Sequence, residues 1–246
     1  MRSIDLNADL GEGCGHDDEL LAIVTSASIA CGGHAGDAQT MRRTAEVALA
    51  RGVKIGAHVS YVDRGGFGRR ETGETSAEIH AAVSRQLAEF HEITTSIGAA
   101  VRFVKPHGAL YHRIARDPAA ADALAEALSE STLSSVVLLQ PASPGAQTLI
   151  EHGVRVVAEC FADRAYEPDG SLVDRARAGA VIDDVDEAAA RAVELAGGTI
   201  AAYDGSPVAL DAESICVHGD TPNSVQLARA VRAALEAAGV GVRAFS

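Results

Sequence analysis

Short apolar runs rich in β-branched residues alternate along the chain with longer, alanine-rich amphipathic segments. The apolar runs have the length of strands, and the alanine-rich segments have the length of helices. This pattern predicts seven strands, at Ile4–Ala8, Ser28–Cys31, Val53–Ala57, Val101–Lys105, Val136–Gln140, Val154–Cys160 and Ser214–Val217. It also predicts seven helices, at Asp18–Val24, Ala38–Arg51, Ser76–Ile97, Pro118–Ser129, Pro144–His152, Asp186–Ala196 and Thr221–Ala238.

Glycine and proline mark several boundaries of these elements. Four glycines each follow a predicted helix and precede a strand, where a left-handed cap is expected: Gly52, Gly98, Gly153 and Gly239. The pair Thr221-Pro222 places a proline in the first turn of the last helix. The segment Thr199–Asp211, with its Asp204-Gly205 turn, predicts a hairpin added to the repeating pattern.

Repeated strand and helix units predict a parallel sheet, because each crossover returns the chain to the same edge. An open doubly wound sheet is the alternative, but its ligand crevice uses few strand ends. In this chain at least six predicted strands end in polar clusters. We therefore expect an irregular seven-stranded (β/α) TIM-like barrel. Residues 1–246 contain no linker or low-complexity segment, which favours a single domain.

Four predicted strands end in a histidine beside glycine, and two of these histidines are followed closely by an acid. The runs end at His34-Ala-Gly-Asp37, at His58, at His107-Gly and at His218-Gly-Asp220. The carboxyl ends of parallel strands meet on one rim, which is where barrels of this class keep their active sites. We expect these side chains to lie close together.

Charge and composition exclude several classes of partner. The chain has 246 residues, a formal charge of −13 and no basic run, which argues against binding to nucleic acid or an anionic membrane. The start of the chain enters a strand pattern without an apolar signal region, so a cytoplasmic location is expected. The four cysteines show no CxxC spacing and indicate neither a disulfide framework nor a zinc knuckle.

Several motifs together resemble the LamB/YcsF family. They are Asp5-Leu-Asn-Ala-Asp-Leu-Gly-Glu12, Ile29-Ala-Cys-Gly-Gly-His-Ala-Gly-Asp37, Gly56-Ala-His-Val-Ser-Tyr61, Gly66-Phe-Gly-Arg-Arg70, Val104-Lys-Pro-His-Gly-Ala-Leu-Tyr111, Phe161-Ala-Asp-Arg-Ala-Tyr166 and Cys216-Val-His-Gly-Asp-Thr-Pro222. They occur in order from Ile4 to about Ala238. The chain departs from the usual family residues at Ser28, Ala38, Val59, Val62 and His112. None of these changes removes a histidine, acid or lysine from the rim.

The resemblance implies a barrel of the glycoside hydrolase/deacetylase type that forms the A subunit of bacterial 5-oxoprolinase. This enzyme works with partner subunits B and C in the ATP-dependent opening of 5-oxoproline to L-glutamate. No GXXXXGK[ST] loop occurs in the chain, so ATP is expected to be bound by one of the partners. The sequence leaves open whether a divalent metal is a cofactor, because histidines and acids are abundant but no HEXXH motif is present.

Opening a lactam requires a base for water, a donor for the developing oxyanion and an acid for the leaving nitrogen. Our catalytic candidates are Asp9, His58, His107 and His218. The alternative for Asp9 is a helix cap, and the alternative for any one of the histidines is a core imidazole bonded to the backbone. Four other histidines, which lack such surroundings, are expected to be surface or structural residues: His16, His80, His91 and His152.

Eight further residues are candidates for substrate binding: His34, Asp37, Arg69, Arg70, Lys105, Glu159, Asp163 and Asp220. Asp37 also fits the N-cap of the next helix. Lys105 is one of only two lysines among 21 basic residues, which indicates a need for a compact ammonium group. Its alternative is an ion pair that closes the barrel. Either arginine could instead form a surface ion pair.

Two other functions are left open by the sequence. One is a stand-alone metal-dependent amidase or deacetylase, which would act without ATP and lose activity with a chelator. The other is a non-catalytic subunit that binds 5-oxoproline and presents it to its partners.

Overall fold

The computed structural model describes residues 2–133, 135–220 and 223–245. Its strands are β1 Ser3–Leu10, β2 Ser26–Ala30, β3 Lys54–Val59, β4 Val101–Pro106, β5 Val136–Leu139, β6 Arg155–Phe161, β7 Thr199–Ala201, β8 Pro207–Ala209, β9 Ser214–Val217 and β10 Gly241–Val242. Its helices are α1 Asp17–Leu20, α2 Ala38–Arg51, α3 Ser76–Ser96, α4 Gly108–Arg116, α5 Pro118–Glu130, α6 Pro144–Glu151, α7 Val185–Gly197 and α8 Ser224–Ala237. A short 3-10 helix covers Arg64–Gly66.

Seven parallel strands close into a barrel, as the sequence predicts. They pair in the order β1, β2, β3, β4, β5, β6 and β9, and β9 pairs again with β1. Strand β10 adds to the beginning of β1, and β7 and β8 form a separate antiparallel hairpin. The predicted hairpin at 199–211 is therefore confirmed.

The barrel interior is polar along much of its length. Strand side chains alternate in direction, so the polar residues Asp5, Asn7 and Asp9 of β1 share one face. The Asn7 amide nitrogen lies 3.0 Å from Glu159 on β6, which is not a neighbour of β1. Because this contact passes between non-adjacent strands, it must cross the interior. The apolar side chains of the alternate positions pack outward against the helices.

One end of the interior is closed by aromatic packing. The Phe103 ring lies against Gly56, where a Cβ atom would be only 2.1 Å from the ring. Phe103 also packs edge to face on Phe245, with ring centroids 5.6 Å apart. Only glycine fits beside the ring at position 56, so this pair defines the closed end and leaves the polar end for the site.

Two features of the fold differ from the prediction or fall outside it. Helix α4 was not predicted, because its first residue is Gly108, a poor helix former with φ +54° here. The predicted start of the last helix at Thr221-Pro222 lies outside the described residues, and α8 is described from Ser224. Within the described ranges, no helix is long and apolar enough to cross a membrane.

Candidate active site

Histidines and acids from several strands meet at the rim that the sequence predicts. Asp9 lies near the end of β1, His58 on β3, and His107 and His218 directly after β4 and β9. All four line a cavity of about 760 Å³. The end-of-strand pattern therefore located a real concave site, within the ~300–1,000 Å³ range typical of ligand pockets.

Lys105 lies at the base of this cavity in a fully buried ion-pair network. Its Nζ atom is 2.7 Å from Asp9 and 2.8 Å from Glu159. It also donates to Asn7 Oδ1 at 3.2 Å and to Cys216 Sγ at 3.0 Å. The ammonium protons are thus used within the barrel. The alternative predicted for Lys105, an ion pair within the barrel, is therefore present, while Lys105 also lines the cavity and its role in binding substrate stays a prediction.

Three histidines and one acid form a compact cluster beside Asp9. His58 Nε2 and His107 Nδ1 are 3.0 Å apart. Glu12 Oε1 lies 2.8 Å from His34 Nε2, 3.5 Å from His107 Nδ1 and 3.7 Å from His58 Nε2. We call Glu12, His34, His58 and His107 the histidine cluster.

Backbone carbonyls fix the orientation of two rings in the histidine cluster. His58 Nδ1 lies 2.9 Å from the carbonyl oxygen of Lys105, and His107 Nε2 lies 2.9 Å from that of Phe67. Since a carbonyl only accepts, each of these nitrogens must carry the proton. The other nitrogen of each ring faces the cluster.

The glycine-rich loop that follows the 3-10 helix Arg64–Gly66 packs against the histidine cluster. Gly68 has φ +65°, and a Cβ atom there would lie 2.8 Å from His34 Cβ and 2.9 Å from His107 Cδ2. The Ala109 amide donates to Gly68 O at 2.9 Å, which ties the loop to the start of α4. The loop can approach the rings this closely only because position 68 has no side chain.

Burial and mutual charge shift the pKa values of the cluster. Burial, with the nearby charge of Asp9, raises the pKa of Glu12 to about 8. Burial and the neighbouring His58 lower the pKa of His34 to about 2, and the pKa of His107 is lowered well below its usual value for the same reasons. Burial alone would raise the pKa of Asp9, but His58 and Lys105 hold it well below the ordinary range.

A hydrogen-bonded pair of one histidine and one acid also lies at the cavity. His218 Nδ1 is 2.8 Å from Asp163 Oδ2, and the His218 ring stacks on Phe161 with centroids 5.3 Å apart. Burial would raise the pKa of Asp163, but His218 lowers it below its usual value. The carboxylate therefore accepts a hydrogen bond from His218 Nδ1. The other ring nitrogen, Nε2, takes no part in this pair, and His218 lines the cavity.

The outer wall of the cavity carries charges of both signs. Its lining includes four arginines, Arg69, Arg116, Arg164 and Arg175, together with Glu71, Asp169 and Asp174. Burial and then the charges of Arg164, Arg175 and Arg116 lower the pKa of His112, which also lines the wall, to about 4. Two of the arginines have acidic partners, Arg69 with Asp220 and Arg116 with Glu71.

Two predicted substrate-binding residues do not reach the cavity. The Asp37 carboxylate accepts a hydrogen bond from Thr40 N at 2.8 Å and caps α2, which is the second role that the sequence predicts for it. Arg70 pairs with Asp63. Neither Asp37 nor Arg70 is among the described residues that line the cavity, so the structure shows no contact that supports either assignment.

The other predicted residues surround the site at different depths. Arg69 lines the cavity and pairs with Asp220 at 2.5 Å. Glu159 and Asp163 are buried behind the lining, where they contact Lys105 and His218 respectively. Neither is among the described residues that line the cavity.

The sequence pattern missed Glu12 and Tyr111 as site residues, although both fall within the quoted motifs. Glu12 lies two residues beyond β1, after Gly11 with φ +73° has turned the chain. Tyr111 lies on α4, the helix that was not predicted, and its buried hydroxyl has no hydrogen-bond partner among the described residues. Burial raises its pKa well above the usual value, so this hydroxyl stays protonated as a donor at the cavity wall.

The four histidines expected outside the site lie on the surface or are half-buried. Three have carboxylate partners at the surface: His16 with Glu19, His80 with Glu130 and His152 with Asp122. His91 Nε2 lies 3.0 Å from the Thr132 hydroxyl. All four cysteines are free, and Cys31, Cys160 and Cys216 are buried.

The LamB/YcsF family model matches residues 4–246. The chain belongs to the LamB/YcsF family. Among its family relatives, a 5-oxoprolinase A subunit of Agrobacterium fabrum is 46% identical over 100% of this chain and 99% of the relative. The 5-oxoprolinase A subunit of Streptomyces avermitilis is 48% identical over 99% of this chain and 100% of the relative.

Solved structures support the same relationship. The lactam utilization protein from Thermus thermophilus is 40% identical, with a TM-score of 0.93 and coverage of 99% of this chain and 100% of that one. A family 4 carbohydrate esterase from Streptomyces lividans has a TM-score of 0.51 at 12% identity, covering 100% of this chain and 93% of that one. The second similarity concerns the fold alone.

Proposed function

We propose that this LamB/YcsF chain is the A subunit of an ATP-dependent 5-oxoprolinase and carries the site where 5-oxoproline is opened to L-glutamate. The similarity to proteins of that name along their whole length supports this proposal. The single observation on which the site assignment depends is the cavity itself. It joins a hydrogen-bonded histidine and carboxylate pair to a wall that carries four arginines.

The proposed reaction breaks the ring C–N bond and forms a C–O bond from water. His218 Nε2 removes a proton from the attacking water and returns it to the leaving nitrogen, while Asp163 orients the ring through Nδ1. Tyr111 donates to the carbonyl oxygen as negative charge develops. Arg69 is the cavity arginine that we assign to the substrate carboxylate, which it can bind in a bidentate manner.

Asp9, His58 and His107 are the other catalytic residues of the proposal, since they form the base of the cavity. Lys105 keeps Asp9 ionised and in place from below. ATP is assigned to one of the partners, because the sequence has no phosphate-binding loop of the Walker type. Subunits B and C would couple ATP hydrolysis to the ring opening on this chain.

Reconstitution tests the proposed function. Glutamate release from 5-oxoproline is measured for this chain alone and with its two partner subunits, each with and without ATP. We expect glutamate only when the partners and ATP are all present. Release by the chain alone without ATP would favour a stand-alone amidase, and no release in any combination would reject the substrate.

Removal of the Tyr111 hydroxyl is expected to slow catalysis without weakening the fold. Tyr111→Phe should lower kcat by roughly 10²-fold, because one donor to the oxyanion is lost. The free energy of unfolding should stay the same or rise slightly, since the hydroxyl has no partner among the described atoms. Steady-state kinetics and urea denaturation measure the two quantities, with Tyr203→Phe as the surface control. Unchanged kcat would contradict the assignment.

A further inference from the structure

His58 and His107 present acceptor nitrogens to each other. In neutral rings the bonds to Lys105 O and Phe67 O leave His58 Nε2 and His107 Nδ1 without protons. These two lone pairs face each other across 3.0 Å. Two bare acceptors at hydrogen-bond distance repel each other unless a cation lies between them.

The spacing of the cluster fits a metal ion. Bonds of ~2.0–2.1 Å in a tetrahedron place the ligand atoms about 3.3 Å apart. Three atoms of the cluster have about this spacing: His58 Nε2 and His107 Nδ1 are 3.0 Å apart, and Glu12 Oε1 lies 3.5 and 3.7 Å from His107 and His58. The His34 ring stacks parallel on the His107 ring with centroids 3.7 Å apart, so the lone pairs of these two rings cannot converge on one ion. His34 Nε2 instead lies 2.8 Å from the Glu12 carboxylate and holds it in place. A single bridging proton would satisfy only the pair His58 and His107.

The surroundings of the cluster are those of metal ligands. Metal-binding histidines usually donate their second N–H to a carbonyl or carboxylate, and His58 and His107 do so to the backbone. Their side chains line the cavity, so an ion can enter from that side. Asp9 Oδ2 lies 3.4 Å from His58 Nε2 and also lines the cavity, next to the proposed ion.

We propose that one divalent transition-metal ion is bound at the base of the cavity by three side chains, Glu12, His58 and His107. Two imidazoles and one carboxylate favour Zn²⁺ over Mg²⁺ or Ca²⁺, which prefer oxygen ligands. The ion would polarise water or the lactam carbonyl. That catalytic use rests on the proposed function, whereas the binding of the ion does not.

Metal titration tests the site without reference to activity. The full chain is freed of metal with a chelator, dialysed, and titrated with Zn²⁺ by calorimetry in the absence of substrate and partners. Co²⁺ is then added as a spectroscopic probe of coordination geometry. We expect one Zn²⁺ per chain and the intense visible absorption of tetrahedral Co²⁺.

Variants locate the ion. Glu12→Gln keeps the shape of the side chain and should weaken Zn²⁺ binding at least tenfold, and His107→Ala should do the same. His80→Ala and His152→Ala, which alter surface histidines paired with acids, should leave the affinity unchanged. Circular dichroism verifies that each variant is folded. If His107→Ala does not fold, the Zn²⁺ affinity of Glu12→Gln alone decides whether the cluster binds the ion.

Three outcomes would overturn the proposal. They are no stoichiometric binding of Zn²⁺ or Co²⁺, binding that Glu12→Gln leaves unchanged, and binding lost in a surface control. Glutamate release by a metal-free complex would show that the reaction does not require the ion, and the proposed function would still hold. Conversely, a chain that binds Zn²⁺ at this cluster but releases no glutamate with its partners would reject the proposed function alone.

Discussion

Replacing Lys105 by methionine is expected to lower the free energy of unfolding by about 3–5 kcal/mol, because two buried carboxylates lose their counter-ion. Asp9 and Glu159 lie 2.7 and 2.8 Å from the ammonium, and Glu159 is only 1% exposed. Methionine fills a similar volume but carries no charge. Urea denaturation of wild type and variant measures the loss.

The other lysine provides a matched control for this prediction. Lys54 is half-buried, donates to the Phe245 carbonyl and lies over the Phe245 ring. Lys54→Met should cost no more than about 1 kcal/mol, because the Lys54 ammonium is only half-buried and its hydrogen-bond partner is a neutral carbonyl. Equal effects of the two substitutions would contradict a stabilising role for the buried ion-pair network.

Replacing His218 by alanine is expected to lower kcat for ATP-dependent glutamate release by roughly 10²–10⁴-fold, as the loss of a general acid and base does. The affinity for 5-oxoproline should change much less, since we assign the substrate carboxylate to Arg69. Steady-state kinetics of the reconstituted complex separates the two effects. The expected consequence is a complex that retains substrate binding but is slow in ring opening.

His152→Ala is the control for His218→Ala. His152 is exposed and lies 2.9 Å from Asp122 at the surface, so its loss should leave kcat unchanged. A His218→Ala complex with wild-type kcat would exclude His218 as the proton-transfer group.

The barrel could be predicted from sequence because its signals are local. Each core strand is a short apolar run, and each predicted glycine cap adopts positive φ, as at Gly52 and Gly98. The rim position of His58, His107 and His218 followed from strand polarity alone. Closure of the sheet was inferred from the number of polar strand ends, and the pairing of β9 with β1 confirms it.

The contacts within the site could not be predicted, because they join residues far apart in the chain. Lys105 bonds to Asp9 across 96 positions, and the lysine's rarity alone did not identify its partner. Consecutive residues also diverge, since Arg69 reaches the cavity while Arg70 turns to Asp63. Glu12 was missed because a turn after the strand, and not the strand itself, brings it to the histidines.

The central claim is that 5-oxoproline is held and opened in the cavity of this chain, and a crystal structure of the chain with 5-oxoproline tests it most directly. Without partners and ATP the lactam should stay intact in the crystal. We expect its carbonyl oxygen within hydrogen-bond distance of the Tyr111 hydroxyl and its carboxylate against Arg69. A lactam bound only outside the cavity, while the reconstituted complex still releases glutamate, would contradict the account.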